Sequence, residues 1–165
     1  MPKTSAGLLL YRRTGAADAA GEPRLEVLAV HPGGPFWTKR DEGAWSIPKG
    51  EYVEGEDPLT VARREFAEEL GRPVPAGEPV PLGEVRQSGG KRVTAWAVAL
   101  ADDAVFEVDE IASNTFEMEW PPRSGVMREF PEVDRAEWFD VATARIKLVP
   151  AQTGFLDELL RYERG

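Results

Sequence analysis

The stretch GEYVEGEDPLTVARREFAEELGR, residues 50–72, decides the fold of this chain. It predicts a polar loop followed by an amphipathic helix. Asp57 is a favourable N-cap, Pro58 takes the first helical position, where its missing N–H is not needed, and Gly71 suits the C′ position. The apolar side chains that share one face of the helix are expected to point into the core: Leu59, Ala62, Phe66 and Leu70.

Three glutamates of this helix, Glu65, Glu68 and Glu69, are spaced i, i+3, i+4 and share a face beside the apolar one. Like charges at this spacing destabilise a helix by about 0.2–0.5 kcal/mol per pair. Arg64 can offset Glu68, but the Glu65–Glu69 pair has no basic residue one turn away. Such a cluster is either a solvated acidic face or a site for a hard cation, Mg²⁺ or alternatively Mn²⁺.

The residues around the cluster favour the cation site. The segment resembles the Nudix box, G-x5-E-x7-R-E-U-x-E-E-x-G-U, in which U is a bulky apolar residue. The matching positions are Gly50, Glu56, Arg64, Glu65, Phe66, Glu68, Glu69 and Gly71, whereas Arg72 departs from the pattern. The resemblance implies the Nudix α/β/α sandwich, with a mixed β-sheet between helices. It also implies Mg²⁺-dependent hydrolysis of a phosphoanhydride bond in a nucleoside diphosphate-linked substrate.

The resemblance also assigns roles to individual residues. The implied metal ligands are Glu65, Glu68 and Glu69, with the Gly50 carbonyl completing the shell and Glu56 nearby through water. The implied catalytic residues are Glu65, Arg64, Glu69 and Glu132. Glu65 is a ligand, a general base, or both, and Arg64 orients a neighbouring carboxylate or forms an ordinary helix salt bridge.

For two further residues, the sequence allows either a functional role or an ordinary surface position. Lys49 is placed to contact a substrate phosphate as a point charge, although a plain surface lysine fits the same pattern. Some relatives add a glutamate from a later loop, for which Glu132 is the first candidate and Glu129 the second. Glu132 is otherwise a surface carboxylate.

The rest of the chain shows no internal repeat and no dividing linker, so a single domain over residues 1–165 is expected. Alternating and β-branched segments predict a mainly β chain with two or three helices. The predicted strands are 5–11, 24–31, 45–48, 82–86, 92–100, 113–120 and 137–140. Residues 141–147 are expected to form a helical turn, and residues 151–164 an amphipathic helix.

Composition excludes several classes of function. A formal charge of −9 is unfavourable for nucleic acid binding, so no nucleic acid partner is expected. The chain has no cysteine, which excludes thiolate zinc sites, disulfides and cysteine nucleophiles. Its single histidine, His31, excludes a histidine metal cluster and a Ser-His triad, and is expected to be structural. No apolar run reaches the ~20 residues of a membrane span, so a cytoplasmic protein is expected.

The box predicts how the diphosphate is bound, so the rest of the substrate has to be predicted from residues outside it. Five tryptophans are many for a chain of this length. Trp45 and Trp120 are the candidates for binding the substrate, and Trp37 is also suited to base stacking. Trp96 is expected to pack in the core. The W-x-x-P-K-G approach to the box resembles diadenosine polyphosphate hydrolases, which favours a dinucleoside polyphosphate such as Ap4A. The alternatives are a (d)NTP, an ADP-sugar, a diphosphoinositol polyphosphate, or a non-catalytic nucleotide-sensing module. The oligomeric state is left open.

Overall fold

The computed structural model describes residues 3–165, and within them a mixed six-stranded sheet is built around its central strand β1 (Thr4–Arg13). One edge of β1 pairs in parallel with β5 (Arg92–Ala99). Its other edge pairs antiparallel, first with β3 (Lys49–Glu51) and then with β2 (Leu25–Pro32). The sheet ends at β4 (Val80–Arg86) beside β5 and at β8 (Val133–Asp140) beside β2.

Helices cover both faces of this sheet, which confirms the predicted α/β/α sandwich. Helix α1 (Pro58–Leu70) covers one face, and α2 (Val141–Lys147) and α3 (Thr153–Arg164) cover the other. Successive side chains of β1 point to opposite faces: Leu8 and Leu10 pack in the cluster with α1, and Leu9 and Tyr11 in the cluster with α3. A strand that is buried on both faces has a continuous apolar sequence instead of an alternating one, and residues 6–11 show this pattern.

The ends of α1 follow the predicted capping pattern. The Asp57 carboxylate accepts from the Thr60 N–H at 3.1 Å, and Pro58 opens the helix. Gly71 adopts a left-handed φ of 76°, and its N–H donates to the Ala67 carbonyl at 2.7 Å. Three of the four predicted core positions are buried, but Leu59 is only partly buried and Val61 is buried instead.

The strand boundaries differ from prediction where pairing partners are distant in sequence. Residues 45–48 form only isolated bridges, from Trp45 to Leu148 and from Ser46 to Val30, whereas the strand is Lys49–Glu51, inside the predicted loop. Strand β8 begins four residues before the predicted start at 137 because it pairs with β2. The predicted strand 113–120 contains β6 (Thr115–Glu119), whose partner β7 (Met127–Pro131) is largely exposed and lacks a clear apolar alternation.

His31 is fully buried and ties β2 to two other segments, in agreement with its expected structural role. Its Nδ1 lies 2.8 Å from Asp134 Oδ1, and its Nε2 lies 2.6 Å from the carbonyl oxygen of Arg40. The second contact holds the loop of residues 33–43 against the sheet. Among the helices of residues 3–165, none combines the length and apolar character needed to cross a membrane.

Candidate active site

A cleft of about 630 Å³ lies beside β3 and α1, within the size range of small-molecule sites, roughly 300–1,000 Å³. Its lining combines two kinds of charged side chain. The acidic residues are Glu51, Glu65, Glu68, Glu69 and Glu132, and the basic residues are Lys49 and Lys91. The cleft therefore brings together groups that bind cations and groups that bind anions.

The short strand β3 sets the position of two box glutamates. The Lys49 backbone N–H donates to Glu69 Oε2 at 2.9 Å, which fixes one end of the carboxylate cluster. At the next residue, a Cβ added to Gly50 would lie 2.0 Å from Glu65 Cδ. Glycine is required at this position because only a residue without a side chain lets Glu65 lie directly against the strand.

The pKa values of these carboxyl groups report burial and mutual repulsion. Burial raises the pKa of Glu69 to about 8; the Lys49 ammonium and backbone N–H oppose the rise, and the Glu65 and Glu132 carboxylates add to it. The pKa of Glu65 is also raised, first by burial and then by Glu68, while Arg64 opposes the rise. The cluster is therefore short of positive charge, which is the condition under which a bound cation stabilises it most.

The donor set fits a hard divalent cation, although the side chains are not gathered around one point. Within residues 3–165, no three aspartate, glutamate or histidine side chains converge closely enough to form a complete metal site. Glu69 is held by the Lys49 N–H, and the Glu68 side chain is 42% exposed. Several carboxylates facing one cleft are nevertheless the ligands that Mg²⁺ prefers. Glu65, Glu68 and Glu69 are the residues that could hold it.

Arg64 and Glu56 lie beside the cleft rather than in its lining. The Arg64 guanidinium is 3.5 Å from Glu56, 3.8 Å from Glu65 and 3.9 Å from Glu68, a position suited to orienting these carboxylates. Glu56 also accepts from the Val53 N–H at 3.0 Å. The structure therefore places Glu56 as a partner of Arg64 and of the loop, and not among the groups facing the predicted cation.

Of the two later glutamates, Glu132 reaches the cleft. Its N–H donates to the Asn114 carbonyl at 2.8 Å, and its own carbonyl accepts from the Gly33 N–H at 2.9 Å. Glu132 lines the same cleft as Glu65 and Glu69, and its charge adds to the rise in the pKa of both. Glu129 lies on β7 opposite Glu117, outside the cleft.

The tryptophans are distributed differently from the prediction. The choice of Trp45 as a substrate-binding residue is wrong: it is 1% exposed, packs edge-on against Phe139 with ring centroids 4.9 Å apart, and belongs to the core. Trp120 lies outside the cleft, where its ring meets that of Phe36. Trp37 is the tryptophan that lines the cleft, and Trp96 packs against the core as expected.

Sequence reasoning missed Lys91, which the structure places beside Lys49. Burial lowers the pKa of Lys49, and the adjacent Lys91 ammonium lowers it further. The parallel pairing of β1 with β5, in which Thr4 lies opposite Arg92, carries Lys91 to the cleft. No local motif marks this residue, because its position depends on strands that are distant in sequence.

A buried glutamine also supports the cleft without a signal in the sequence. Gln152 is fully buried, and its Oε1 accepts from the Ile47 N–H at 3.0 Å. Its Nε2 donates to Ser46 Oγ and to Gln87 Oε1, each at 3.0 Å. Ser46 and Gln87 both line the cleft, so this network fixes the polar wall between β3 and β4.

A protein-family model and several solved structures each match nearly the full length of the chain. The NUDIX domain model matches residues 1–159, whereas no curated protein matches. A solved Ap4A hydrolase of C. elegans, as a binary complex, is similar at 20% identity over 98% of this chain and 97% of its own, with a TM-score of 0.61. A mutT/nudix family protein from Listeria innocua is 16% identical, covering 99% and 95% of the two chains, with a TM-score of 0.60.

A third similar structure is the NUDIX domain of Shewanella oneidensis NrtR complexed with ADP ribose. It is 16% identical over 100% of this chain and 90% of its own, with a TM-score of 0.57. At these identities the likeness to the solved structures shows the fold alone.

Proposed function

Because this chain belongs to the Nudix family of hydrolases, we propose that it hydrolyses a phosphoanhydride bond in a nucleoside diphosphate-linked substrate, namely a dinucleoside polyphosphate such as Ap4A, with a divalent cation. The observation that carries the proposal is the cleft in which a carboxylate cluster faces two lysines. The first group suits a cation and the second suits phosphate oxygens.

Phosphoanhydride hydrolysis needs charge neutralisation on the phosphate oxygens and a positioned water molecule. A cation held by Glu65, Glu68 and Glu69 would supply the neutralisation. Glu132, which lines the same cleft from a different segment of the chain, would accept a proton from the attacking water. Glu65 is the alternative base, provided that its carboxylate is not fully engaged as a ligand.

Lys49 and Lys91 form the phosphate-binding side of the proposed site. Two adjacent ammonium groups repel one another and cannot satisfy each other as hydrogen-bond partners, since both only donate. An anion between them relieves the repulsion and accepts hydrogen bonds from both. A polyphosphate chain would thus lie between the lysines and the cation.

Two observations outside the carboxylate cluster support a dinucleoside polyphosphate. The C. elegans Ap4A hydrolase is similar over nearly the full length of both chains. Residues 45–50, WSIPKG, also resemble the approach to the box in diadenosine polyphosphate hydrolases. ADP-ribose is the second candidate, since the similar NrtR domain was solved with ADP ribose.

The direct test is hydrolysis of a substrate panel in Mg²⁺, with products identified by chromatography: Ap4A, Ap3A, ADP-ribose, an oxidised dGTP and a diphosphoinositol phosphate. We expect the highest kcat/KM for Ap4A and loss of activity when EDTA removes the cation. A higher kcat/KM for another compound contradicts the substrate assignment. Tight nucleotide binding without product after long incubation contradicts hydrolysis and indicates a nucleotide-sensing module.

Substituting Lys91→Ala is expected to lower kcat/KM by about 10- to 100-fold, because a charge-assisted hydrogen bond contributes roughly 1.5–3 kcal/mol. Lys91→Arg retains the charge and should retain more activity. Lys39→Ala removes an exposed lysine outside the cleft lining and is the matched control. If Lys91→Ala and Lys39→Ala have the same kcat/KM as the unaltered protein, Lys91 does not bind substrate.

A further inference from the structure

Two segments outside the box carry four aromatic side chains, of which one lines the cleft. We call this group the aromatic rim, and it consists of Phe36, Trp37, Phe116 and Trp120. The loop 33–43 carries the first two residues, and the hairpin of β6 and β7 carries the others. Phe36 meets Trp120 edge-on with ring centroids 5.5 Å apart. Phe116 packs so closely on Gly34 that an added Cβ there would lie 2.9 Å from its Cζ. The loop and the hairpin therefore support one another.

The loop that presents the rim is held at several points. The carbonyl of Arg40 accepts from His31 Nε2 at 2.6 Å, and the Arg40 N–H donates to the Trp37 carbonyl at 2.9 Å. Asp41 accepts from the indole of Trp45 at 2.8 Å and also pairs with Lys147. Because the loop is anchored before a ligand arrives, binding to its side chains costs little ordering entropy.

Trp37 is the member of the rim that reaches the cleft lining, where Glu132 and Lys49 are also found. It remains 38% exposed, so part of a large apolar ring faces a polar cleft. The guanidinium of Arg40 lies over the ring, 5.6 Å from its centroid, and covers one face. Because Trp37 lines the cleft and keeps more than a third of its surface exposed, a flat ligand group in the cleft can contact its ring.

We propose that Trp37 stacks on a nucleobase of the substrate and thereby selects nucleotides over phosphorylated cyclitols. This proposal rests on the proposed function, because the phosphates bound by Lys49 and Lys91 in the same cleft are what bring the base to Trp37. A purine offers a planar π-face, which stacks favourably on an indole, whereas a cyclitol ring is puckered and bears polar groups on all sides. Phe36 and Trp120 act behind Trp37 by holding the loop in place.

The test compares Trp37→Ala with the conservative variant Trp37→Phe, using Ap4A as the substrate. Loss of the stacking group is expected to raise KM by about 10- to 100-fold with kcat nearly unchanged, because stacking contributes equally in the bound and transition states. Trp37→Phe should recover most of the affinity. An unchanged KM in Trp37→Ala overturns the proposal.

Two competitive inhibitors separate stacking from a general collapse of the loop. For AMP the inhibition constant should rise in Trp37→Ala, while for inorganic tripolyphosphate, which has no base, it should stay the same. In the unaltered protein AMP should change the tryptophan fluorescence, and in Trp37→Phe this change should be lost although AMP still binds. Equal weakening of both inhibitors would show that the substitution acts on the loop and would overturn stacking.

The outcome is separable from that of the proposed function. If the unaltered protein hydrolyses no member of the substrate panel, the hydrolase proposal fails, but AMP and tripolyphosphate binding still report on Trp37. If it hydrolyses nucleotides and the inhibition constant of AMP is the same in Trp37→Ala, the stacking proposal alone fails.

Discussion

Glu69→Gln is expected to abolish cation-dependent hydrolysis while leaving the fold intact. The amide has nearly the same size as the carboxylate, and its oxygen can still accept from the Lys49 N–H, which now lies 2.9 Å from Glu69 Oε2. What the substitution removes is the negative charge that a divalent cation requires. Removing a group that only supports a metal ligand typically lowers metal affinity or activity by about 10- to 100-fold. Removing a ligand itself should therefore lower kcat by more than about 100-fold.

The measurement is kcat at several Mg²⁺ concentrations, together with a urea unfolding midpoint. We expect no fall in the midpoint, because burial, the largest cause of the raised pKa of Glu69, disfavours its charged form more than the Lys49 ammonium favours it, and the amide carries no charge. Glu78→Gln, at an exposed position outside the cleft, is the matched control and should retain full activity. Full activity in Glu69→Gln would exclude Glu69 as a cation ligand.

Local interactions explain what the sequence predicts well. The capping of α1 by Asp57 and Gly71 depends on residues within a few positions of each other, and so does the grouping of Glu65, Glu68 and Glu69 on one face. These features follow from helix geometry, whatever surrounds the helix. The helix and the carboxylate cluster were therefore predictable from 23 contiguous residues, Gly50 to Arg72.

Features that depend on distant pairing were not predictable in the same way. Lys91 reaches the cleft because β1 and β5 pair in parallel, and Trp37 because its loop is tied down by His31 and packed on the hairpin of β6 and β7. Composition alone could not separate Trp37 from Trp45, since both are tryptophans near the box. Their roles differ because the Trp45 segment bridges to Leu148 and is covered by the core.

Gly50→Ala should separate activity from stability. Gly50 has no positive φ, so its backbone accepts alanine, and the three atoms nearest to the added Cβ all belong to Glu65: Cδ at 2.0 Å, Cγ at 2.4 Å and Oε1 at 2.4 Å. The Glu65 side chain is 19% exposed and flexible, so it can rotate away. The unfolding midpoint should change little, since alanine also has less conformational entropy than glycine to lose on folding.

Activity is expected to fall by about 100-fold, because displacing a catalytic group by about 1 Å can have an effect of this size. The Gly50 carbonyl, the other group predicted to face the cation, is kept in the variant. Gly154→Ala is the matched control, since its added Cβ would lie 3.3 Å from Val85 Cγ1, away from the cleft.

A double-mutant cycle shows whether the methyl group acts through Glu65. Glu65→Ala leaves space for the new Cβ, so Gly50→Ala should cause no further loss of kcat in that background. The same kcat in Glu65→Ala and in the double variant, with Gly50→Ala alone strongly impaired, would mean that the box glycine serves to admit one carboxylate. Additive losses would instead mean that Gly50 contributes through its own backbone, and the close packing of Glu65 would then not explain why glycine is needed at this position.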